Sequence, residues 1–290
     1  MVLININERD KLTRLKQLKR IKSFLACLLL FITISDCKVY GQSGMTVSPG
    51  KLYFKLPPGS AGTQKIIVSN PNDRELQVGA SISDWDYDTV GNNRMHEMGS
   101  LKTSCAEWFK VLPSSVFTLQ PNERREVQVV FTTPADADRS VPVHTAMLFL
   151  TQMNPVNSRS QNGAAIKVSV RIGIKIYHSF LQTEDRDIEV IGLQDKAALP
   201  GVKGPGMLEL QVQNTGKIWL EGKIKWELLN TKTGQKTKME DQDFYSLPGD
   251  KRTIRQNLPR DLQAGHYTAT AVINYGNKDE LKVVELEFEN

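Results

Sequence analysis

The side chains able to support catalysis or metal binding are few and scattered in this sequence. The four histidines lie far apart, and none stands in a paired metal-ligand spacing (His96, His144, His178 and His266). There is no Gly-x-Ser-x-Gly turn, and the glycines of Gly201–Gly206 lack the strand-to-helix context of a phosphate-binding loop. The sequence therefore predicts that the protein is not an enzyme, with no catalytic residue, no metal and no cofactor.

Two local features leave some chemistry open. Asp84, Asp86 and Asp88 are spaced like the start of a calcium loop, but the glycine comes late, at Gly91, and the later glutamate is missing. Three solvated carboxylates at the end of a strand are the simpler interpretation. Cys105 is the second feature, and a lone cysteine is more often a small buried residue than a nucleophile.

The positive charge is concentrated at the amino terminus. The 290 residues include 37 Lys and Arg against 32 Asp and Glu, a formal net charge of +5. Residues 1–41 carry eight bases and three acids, so residues 42–290 carry 29 of each and are neutral. A neutral chain with only short basic pairs, such as Arg124-Arg125, predicts no nucleic-acid partner.

Residues 1–41 have the three-part layout of a secretory signal peptide. A basic stretch ends at Lys22, the apolar run Phe24–Ser35 follows, and Val39-Tyr40-Gly41 precedes the expected cleavage point. About 12 apolar residues are too few to span a bilayer comfortably, so we expect no permanent membrane span after cleavage. We expect an exported protein of the periplasm or cell envelope. Asp36 disfavours the alternative of a lipoprotein signal ending at Cys37.

The rest of the chain predicts an all-β protein of two tandem immunoglobulin-like β-sandwich domains. A hydrophobic fraction of 40% with 24% charged residues is typical of a globular protein. Short segments of period-two alternation recur between Gly, Pro, Asn and Asp, and no helix of ten residues is predicted. The charged junction Thr183–Asp187 separates two such series. The predicted domains are therefore residues 42–181 and 182–290.

The longest predicted strand is Ala164–Phe180. Its alternate positions carry aliphatic residues on one face, while Lys167 and Lys175 lie on the other (Ile166, Val168, Val170, Ile172, Ile174 and Ile176). One interpretation is an ordinary core strand. The alternative is an edge strand that a partner can pair with, because unpaired backbone groups on an apolar edge recruit other strands.

Residues 45–180 resemble the PapD-like periplasmic chaperones of pilus assembly. The most specific stretch is Ile172-Gly-Ile-Lys175-Ile-Tyr177, which is similar to the basic, apolar and aromatic end of the family's long donor strand. Four further segments contribute to the resemblance: Val47–Phe54, Ile66–Pro71, Val111–Pro113 and Phe117–Glu123. Residues 182–290 resemble bacterial immunoglobulin-like modules only in a generic way.

The resemblance implies donor-strand complementation. In the family, a subunit that lacks its final strand borrows the chaperone's long strand, and two basic residues hold the subunit's terminal carboxylate. By position, Lys51 and Lys175 match these anchors. The residues that match the groove-filling positions are Ile166, Val168, Val170 and Ile172.

The sequence thus predicts a chaperone that binds and caps pilus or other surface-structure subunits with the strand 164–180. The expected partners are pilin-like protein subunits, with an outer-membrane assembly protein as a further candidate. The alternative is a non-catalytic structural or adhesive cell-envelope protein with immunoglobulin-like domains. That alternative would keep the long strand buried.

Overall fold

The computed structural model describes residues 44–159, 165–180, 185–196, 206–278 and 280–290, with the backbone alone at 156–159 and 165–166. The predicted signal peptide 1–41, with Cys37, lies outside these residues, as does Ala164. Every helix or strand assigned in the described ranges is a β-strand, which confirms the predicted all-β fold. These ranges contain no helix that could cross a membrane.

The first sandwich is built from strands between Thr46 and Ser179. They are β1 (Thr46–Ser48), β2 (Lys51–Lys55), β3 (Ala61–Ser69), β4 (Leu76–Tyr87), β5 (Asn93–His96), β6 (Phe109–Leu112), β7 (Val116–Leu119), β8 (Arg124–Thr132), β9 (His144–Gln152), β10 (Val156–Arg159), β11 (Ala165–Val168) and β12 (Arg171–Ser179). One sheet has the order β1-β3-β8-β6. The facing sheet has the order β2-β12-β9-β4-β5, with β7 also paired to β4, while β10 and β11 form a separate ladder.

Alternation along the strands explains why these segments form a sandwich. In β8, Val127, Val129 and Phe131 are fully buried while Glu126 and Gln128 face solvent. Period-two burial of this kind is expected of a strand with one face on a core and the other in water. The first core therefore lies between the two sheets.

The amino-terminal segment of this sandwich changes sheets. β1 pairs with β3, whereas β2 pairs in parallel with β12, so the chain crosses between sheets from Ser48 to Lys51. As a result β2 covers the edge of β12 only from Lys175 onwards.

The second sandwich is built from strands between Ile188 and Glu289. They are β13 (Ile188–Lys196), β14 (Met207–Asn214), β15 (Leu220–Asn230), β16 (Lys236–Lys238), β17 (Gln242–Ser246), β18 (Lys251–Asn257), β19 (His266–Asn274) and β20 (Lys282–Glu289). One sheet has the order β13-β14-β18, and the other has the order β16-β15-β19-β20 with β17 on β15. Their shared core includes Trp226, Ile224 and Tyr275. The domain boundary predicted between 181 and 182 falls outside the described residues and stays a prediction.

A third apolar cluster joins the two sandwiches. Trp85 and Tyr177 from the first sandwich pack with Ile218, Trp219 and Leu247 from the second. The Thr253 N–H also donates to the Thr89 carbonyl at 2.7 Å, which ties β18 to the loop after β4. Large aromatic side chains contribute much buried apolar area, so this cluster stabilises the junction.

Two buried histidines face each other in the first sandwich. His144 on β9 lies in register with His178 on β12, with ring centroids 5.6 Å apart, and Trp108 lies 4.4 Å from the His144 ring. The Nδ1 atoms of both have no hydrogen-bond partner among the described residues. Burial and, to a smaller extent, the neighbouring His178 lower the pKa of His144 to about 4, while Asp138 opposes the shift. Both rings are therefore neutral at pH 7.

His144 should make the protein sensitive to acid. In the unfolded chain this histidine binds its proton near pH 6.5, but in the folded chain only near pH 4. The contribution of His144 to the free energy of unfolding is therefore fully present above pH 6.5. It falls by about 3 kcal/mol as the pH drops to 4. We expect His144→Phe to lose correspondingly less stability than the wild type between pH 7 and pH 4, as measured by urea unfolding at each pH.

The exposed His266 provides the matched control, because His266→Phe should leave the acid limb of the wild-type profile unchanged. An equal loss of stability in His144→Phe and in the wild type would show that His144 does not carry this effect.

Candidate functional site

Lys51 and Lys175 lie directly opposite each other on neighbouring parallel strands. They are in register in the pairing of β2 with β12, and the Lys175 N–H donates to the Gly50 carbonyl at 3.0 Å. Residues in register on adjacent strands point to the same face of a sheet. Strand pairing therefore brings the two predicted anchor residues together on the outer face, beside the junction of the sandwiches.

Lys175 is half-buried among aromatic rings. Its ammonium donates to the Tyr87 hydroxyl at 2.8 Å and lies 4.3 Å from the Trp85 ring centroid and 4.4 Å from that of Tyr87. Burial and, to a smaller extent, the charge of Lys51 lower the pKa of Lys175 to about 8, while Glu221 opposes the shift. Within the part of the chain described, no carboxylate forms an ion pair with Lys175, so the direct contacts of its ammonium are the Tyr87 hydroxyl and the aromatic rings.

Lys51 has a carboxylate partner from the second sandwich. Its Nζ lies 2.9 Å from Oε1 of Glu221 on β15 and 4.2 Å from the Tyr245 ring centroid. The Tyr53 hydroxyl donates to the same Glu221 oxygen. Burial and the Glu221 hydrogen bond raise the pKa of Tyr53, so this hydroxyl stays protonated and remains a donor.

Stacked rings support this group of charges from below. Tyr53 stacks on Tyr177 with centroids 5.2 Å apart and on Trp219 with centroids 5.0 Å apart. The Trp85 indole N–H donates to the Ala146 carbonyl at 2.8 Å, which fixes the ring under Lys175. We call these four rings, Tyr53, Trp85, Tyr177 and Trp219, the aromatic floor, and their packing holds the ammonium groups in place.

Sequence reasoning did not single out Glu221, Tyr53 or Tyr87. Tyr53 lies two residues after Lys51 and Tyr177 two after Lys175, and residues at this spacing share a face of a strand. That spacing predicts an aromatic ring beside each lysine on the same face of its strand. Glu221 lies 170 residues from Lys51 in the sequence, and nothing local points to it.

The predicted continuous strand 164–180 is wrong. β11 ends at Val168 and pairs with β10, β12 begins at Arg171, and Ser169 and Val170 lie outside both strands. At the break, Gln152 on β9 bonds to this segment through both its backbone and its side chain, and its N–H donates to the Val170 carbonyl at 2.8 Å. The Ser169 hydroxyl donates to the Gln152 carbonyl at 2.7 Å, and the Val170 N–H donates to Gln152 Oε1 at 3.4 Å.

The four predicted groove-filling residues consequently differ in environment. Val168 is 46% exposed. Val170 and Ile172 are half-buried and pack against the first core. The side chain of Ile166 lies outside the described residues.

One edge of β12 is open next to the two lysines. β9 pairs with one side of β12 from Arg171 to His178, whereas β2 covers the other side only from Lys175 onwards. The described residues place no strand on that second side between Arg171 and Ile174. The Lys175 N–H points towards β2, so by alternation the backbone groups of Arg171 and Gly173 also point to this open side.

The features that left other chemistry open have structural explanations. The Asp84 carboxylate accepts from the Ser104 hydroxyl at 2.6 Å, Asp86 accepts from Arg94 at 2.6 Å, and Asp88 caps the turn through the Gly91 N–H at 2.7 Å. Cys105 is fully buried as expected, and burial and the charge of Asp84 raise the pKa of its thiol. No group of three metal-ligating side chains occurs in the ranges that the structure describes.

Comparisons with known proteins give similarities in structure only. No protein-family model matches the sequence, and neither does any curated protein. The chain is similar to the class 5 fimbriae chaperone CfaA at 8% identity, over 84% of this chain and 98% of that one, with a TM-score of 0.45. It is similar to the E. coli chaperone DraB at 13% identity, over 84% and 97%, with a TM-score of 0.44.

A further similar chain belongs to the Salmonella enterica complex of the SafA pilin with the SafB chaperone. The identity is 13%, over 85% of this chain and 98% of that one, with a TM-score of 0.45.

The protonation of Lys175 gives a direct test of this site. We expect NMR titration of lysine side chains to show Lys175 with a midpoint near pH 8, assigned by its loss in Lys175→Met. Glu221→Gln should lower the midpoint further, because the Glu221 carboxylate favours the charged ammonium. A midpoint above pH 10 would show that the aromatic floor does not desolvate this group. Lys223, whose hydrogen bond to the Asp243 carboxylate raises its pKa, serves as the internal reference.

Proposed function

We propose that this chain is an exported periplasmic chaperone that binds pilus or other surface-structure subunits by pairing one of their strands with the open edge of β12. The observation that carries the proposal is this open edge, which ends at two lysines in register. The sequence resemblance of residues 45–180 supports the same function. The predicted signal peptide supports export.

Backbone groups supply the affinity in this proposal. Arg171 and Gly173 point their N–H and C=O groups to the open side, and an added strand would satisfy them. Each backbone hydrogen bond contributes about 1 kcal/mol net. The open stretch is short, so contacts beyond it must contribute as well.

Side chains near the open edge supply the apolar contact. Val168 is 46% exposed, and its burial by a partner would remove apolar surface from water. Ile166 and Val168 keep the proposed groove-filling role. Val170 and Ile172, which pack against the first core, form the boundary between this contact and the chain's own interior.

Charge favours one orientation of the incoming strand. A strand that follows β12 from Val168 towards Ile174 must end where β2 begins, opposite Lys51 and Lys175. If it runs parallel to β12, its carboxyl end meets the two ammonium groups. If it runs antiparallel, its amino end meets them and like charges repel. This favours a parallel strand whose terminal carboxylate is held by Lys51 and Lys175.

The alternative function, a structural or adhesive envelope protein, would need the long strand to be buried. The exposure of Val168 and the open edge of β12 favour the chaperone instead. On this proposal the protein has a protein partner and performs no catalysis, and an outer-membrane assembly protein stays a candidate second partner.

Strand pairing can be tested with a subunit encoded beside this gene. We expect Val168→Asp to abolish co-purification of that subunit, because it places a charge in the buried contact. Ile67→Asp is the matched control, since Ile67 is also an exposed β-branched residue, at 39%, but lies on β3 in the other sheet. Equal recovery of the subunit with wild type and with Val168→Asp would favour the envelope-protein alternative.

The anchor can be tested through its pH dependence. The probe is a seven-residue peptide of alternating valine and threonine, long enough to cover Val168–Ile174, with a free terminal carboxylate. Its affinity should fall roughly tenfold per pH unit above pH 8, because unliganded Lys175 loses its charge there and carboxylate binding requires that charge. Lys175→Arg should bind without this loss up to pH 10, since arginine stays charged.

The same peptide with a terminal amide is the control, and its affinity should not change over this pH range. If acid and amide bind the wild type equally at pH 7, the carboxylate-anchor role of the lysines is wrong.

A further inference from the structure

The anchor of this chain already holds a carboxylate of its own. Glu221 lies 2.9 Å from the Lys51 ammonium and accepts from the Tyr53 hydroxyl, both of which belong to β2. Glu221 itself belongs to β15 of the second sandwich. An acidic side chain thus makes, with Lys51, the contact that the proposed function assigns to a client's terminal carboxylate.

The internal carboxylate satisfies only one of the two cations. Lys51 forms the ion pair, while among the described residues Lys175 contacts the Tyr87 hydroxyl and three aromatic rings but no carboxylate. A ligand carboxylate that replaced Glu221 could contact both ammonium groups, because they stand in register on adjacent strands.

We propose that Glu221 is a resident competitor, which occupies the anchor in the unliganded chain and is displaced by the terminal carboxylate of the client strand. This inference rests on the proposed function. It identifies Glu221 as the residue that sets how tightly the anchor holds an incoming carboxylate and that restricts binding to ligands able to replace it.

Glu221 has room to leave. Its side chain is 38% exposed. It also lines an open cavity of about 250 Å³ together with Gly222, Lys223, Asp243, Tyr245 and Asn274. A displaced carboxylate can therefore turn into solvent without forcing the backbone of β15 to move.

The exchange leaves other contacts between the sandwiches intact. Trp219 still stacks on Tyr53, and the Arg252 guanidinium still donates to the Asp88 carbonyl. The Thr253 N–H bond to Thr89 also involves none of the exchanging groups. Displacement of Glu221 thus changes two polar contacts at the junction, those with Lys51 and Tyr53, and keeps the packed interface.

The size of the effect follows from the exposure of the ion pair. Partly exposed pairs contribute little, so removal of the competing charge should raise ligand affinity about threefold to fivefold at low salt. Salt should reduce the difference, because both ion pairs are accessible to solvent.

Glu221→Gln provides the test, because glutamine keeps the shape and an acceptor oxygen but removes the charge. Tryptophan fluorescence, with Trp85 and Trp219 beside the site, would follow binding of the valine–threonine peptide as free acid and as amide. We expect Glu221→Gln to bind the acid threefold to fivefold more tightly than wild type and the amide equally. In a Lys51→Met background the effect of the substitution should be smaller, because the cation that both carboxylates contact is absent.

Glu227→Gln is the matched control, since Glu227 is an exposed glutamate on the same strand, paired with Lys236 at 2.9 Å. It should bind both peptides like wild type. If the wild type prefers the acid but Glu221→Gln binds it equally or more weakly, Glu221 is not a competitor and the proposed function stands. If no variant prefers the acid to the amide, the anchor itself is wrong and the inference falls with it.

Discussion

The register of two parallel strands is the constraint on which the site depends. Because β2 pairs with β12 with Lys51 opposite Lys175, two ammonium groups must lie side by side on one face of the sheet. The two ammonium groups repel each other. The aromatic rings beneath them exclude water that would otherwise screen this repulsion. The low pKa of Lys175 follows from this placement. Tyr87, Glu221 and the faces of the rings each offset part of the free-energy cost of keeping Lys175 charged.

The same pairing creates the open edge. The amino-terminal segment begins in one sheet as β1 and reaches the other sheet only at Lys51, so it cannot cover β12 before Lys175. Exposed edges are usually blunted because they recruit other strands. Here the break at Ser169 and Val170 shortens the open stretch, and the exposed Arg171 places a charge beside it. In the function that we propose, the edge pairs with a strand whose terminal carboxylate contacts the lysines, and these features disfavour pairing with other strands.

The junction between the sandwiches combines a permanent contact with an exchangeable one. Packing of Trp85, Tyr177 and Trp219 buries apolar surface that neither sandwich could cover alone. The ion pair of Lys51 with Glu221 lies at the rim, where water reaches both groups. The stability of the junction therefore comes mainly from the rings, and in the function that we propose the exposed charges determine which anion binds.

The sequence by itself determined the fold class and many of the strands, because alternation of apolar and polar residues directly reports which positions face a core, as in Val127, Val129 and Phe131. It also indicated Lys51 and Lys175 as a pair, through resemblance to known chaperones. The tertiary structure alone decided that the long strand breaks, since β11 pairs with β10 whereas β12 pairs with β9. It alone placed Glu221 on Lys51 across 170 residues of sequence. Alternation records burial along one strand but carries no information on which distant side chain will lie opposite, and the chemistry of this site depends on those long-range neighbours.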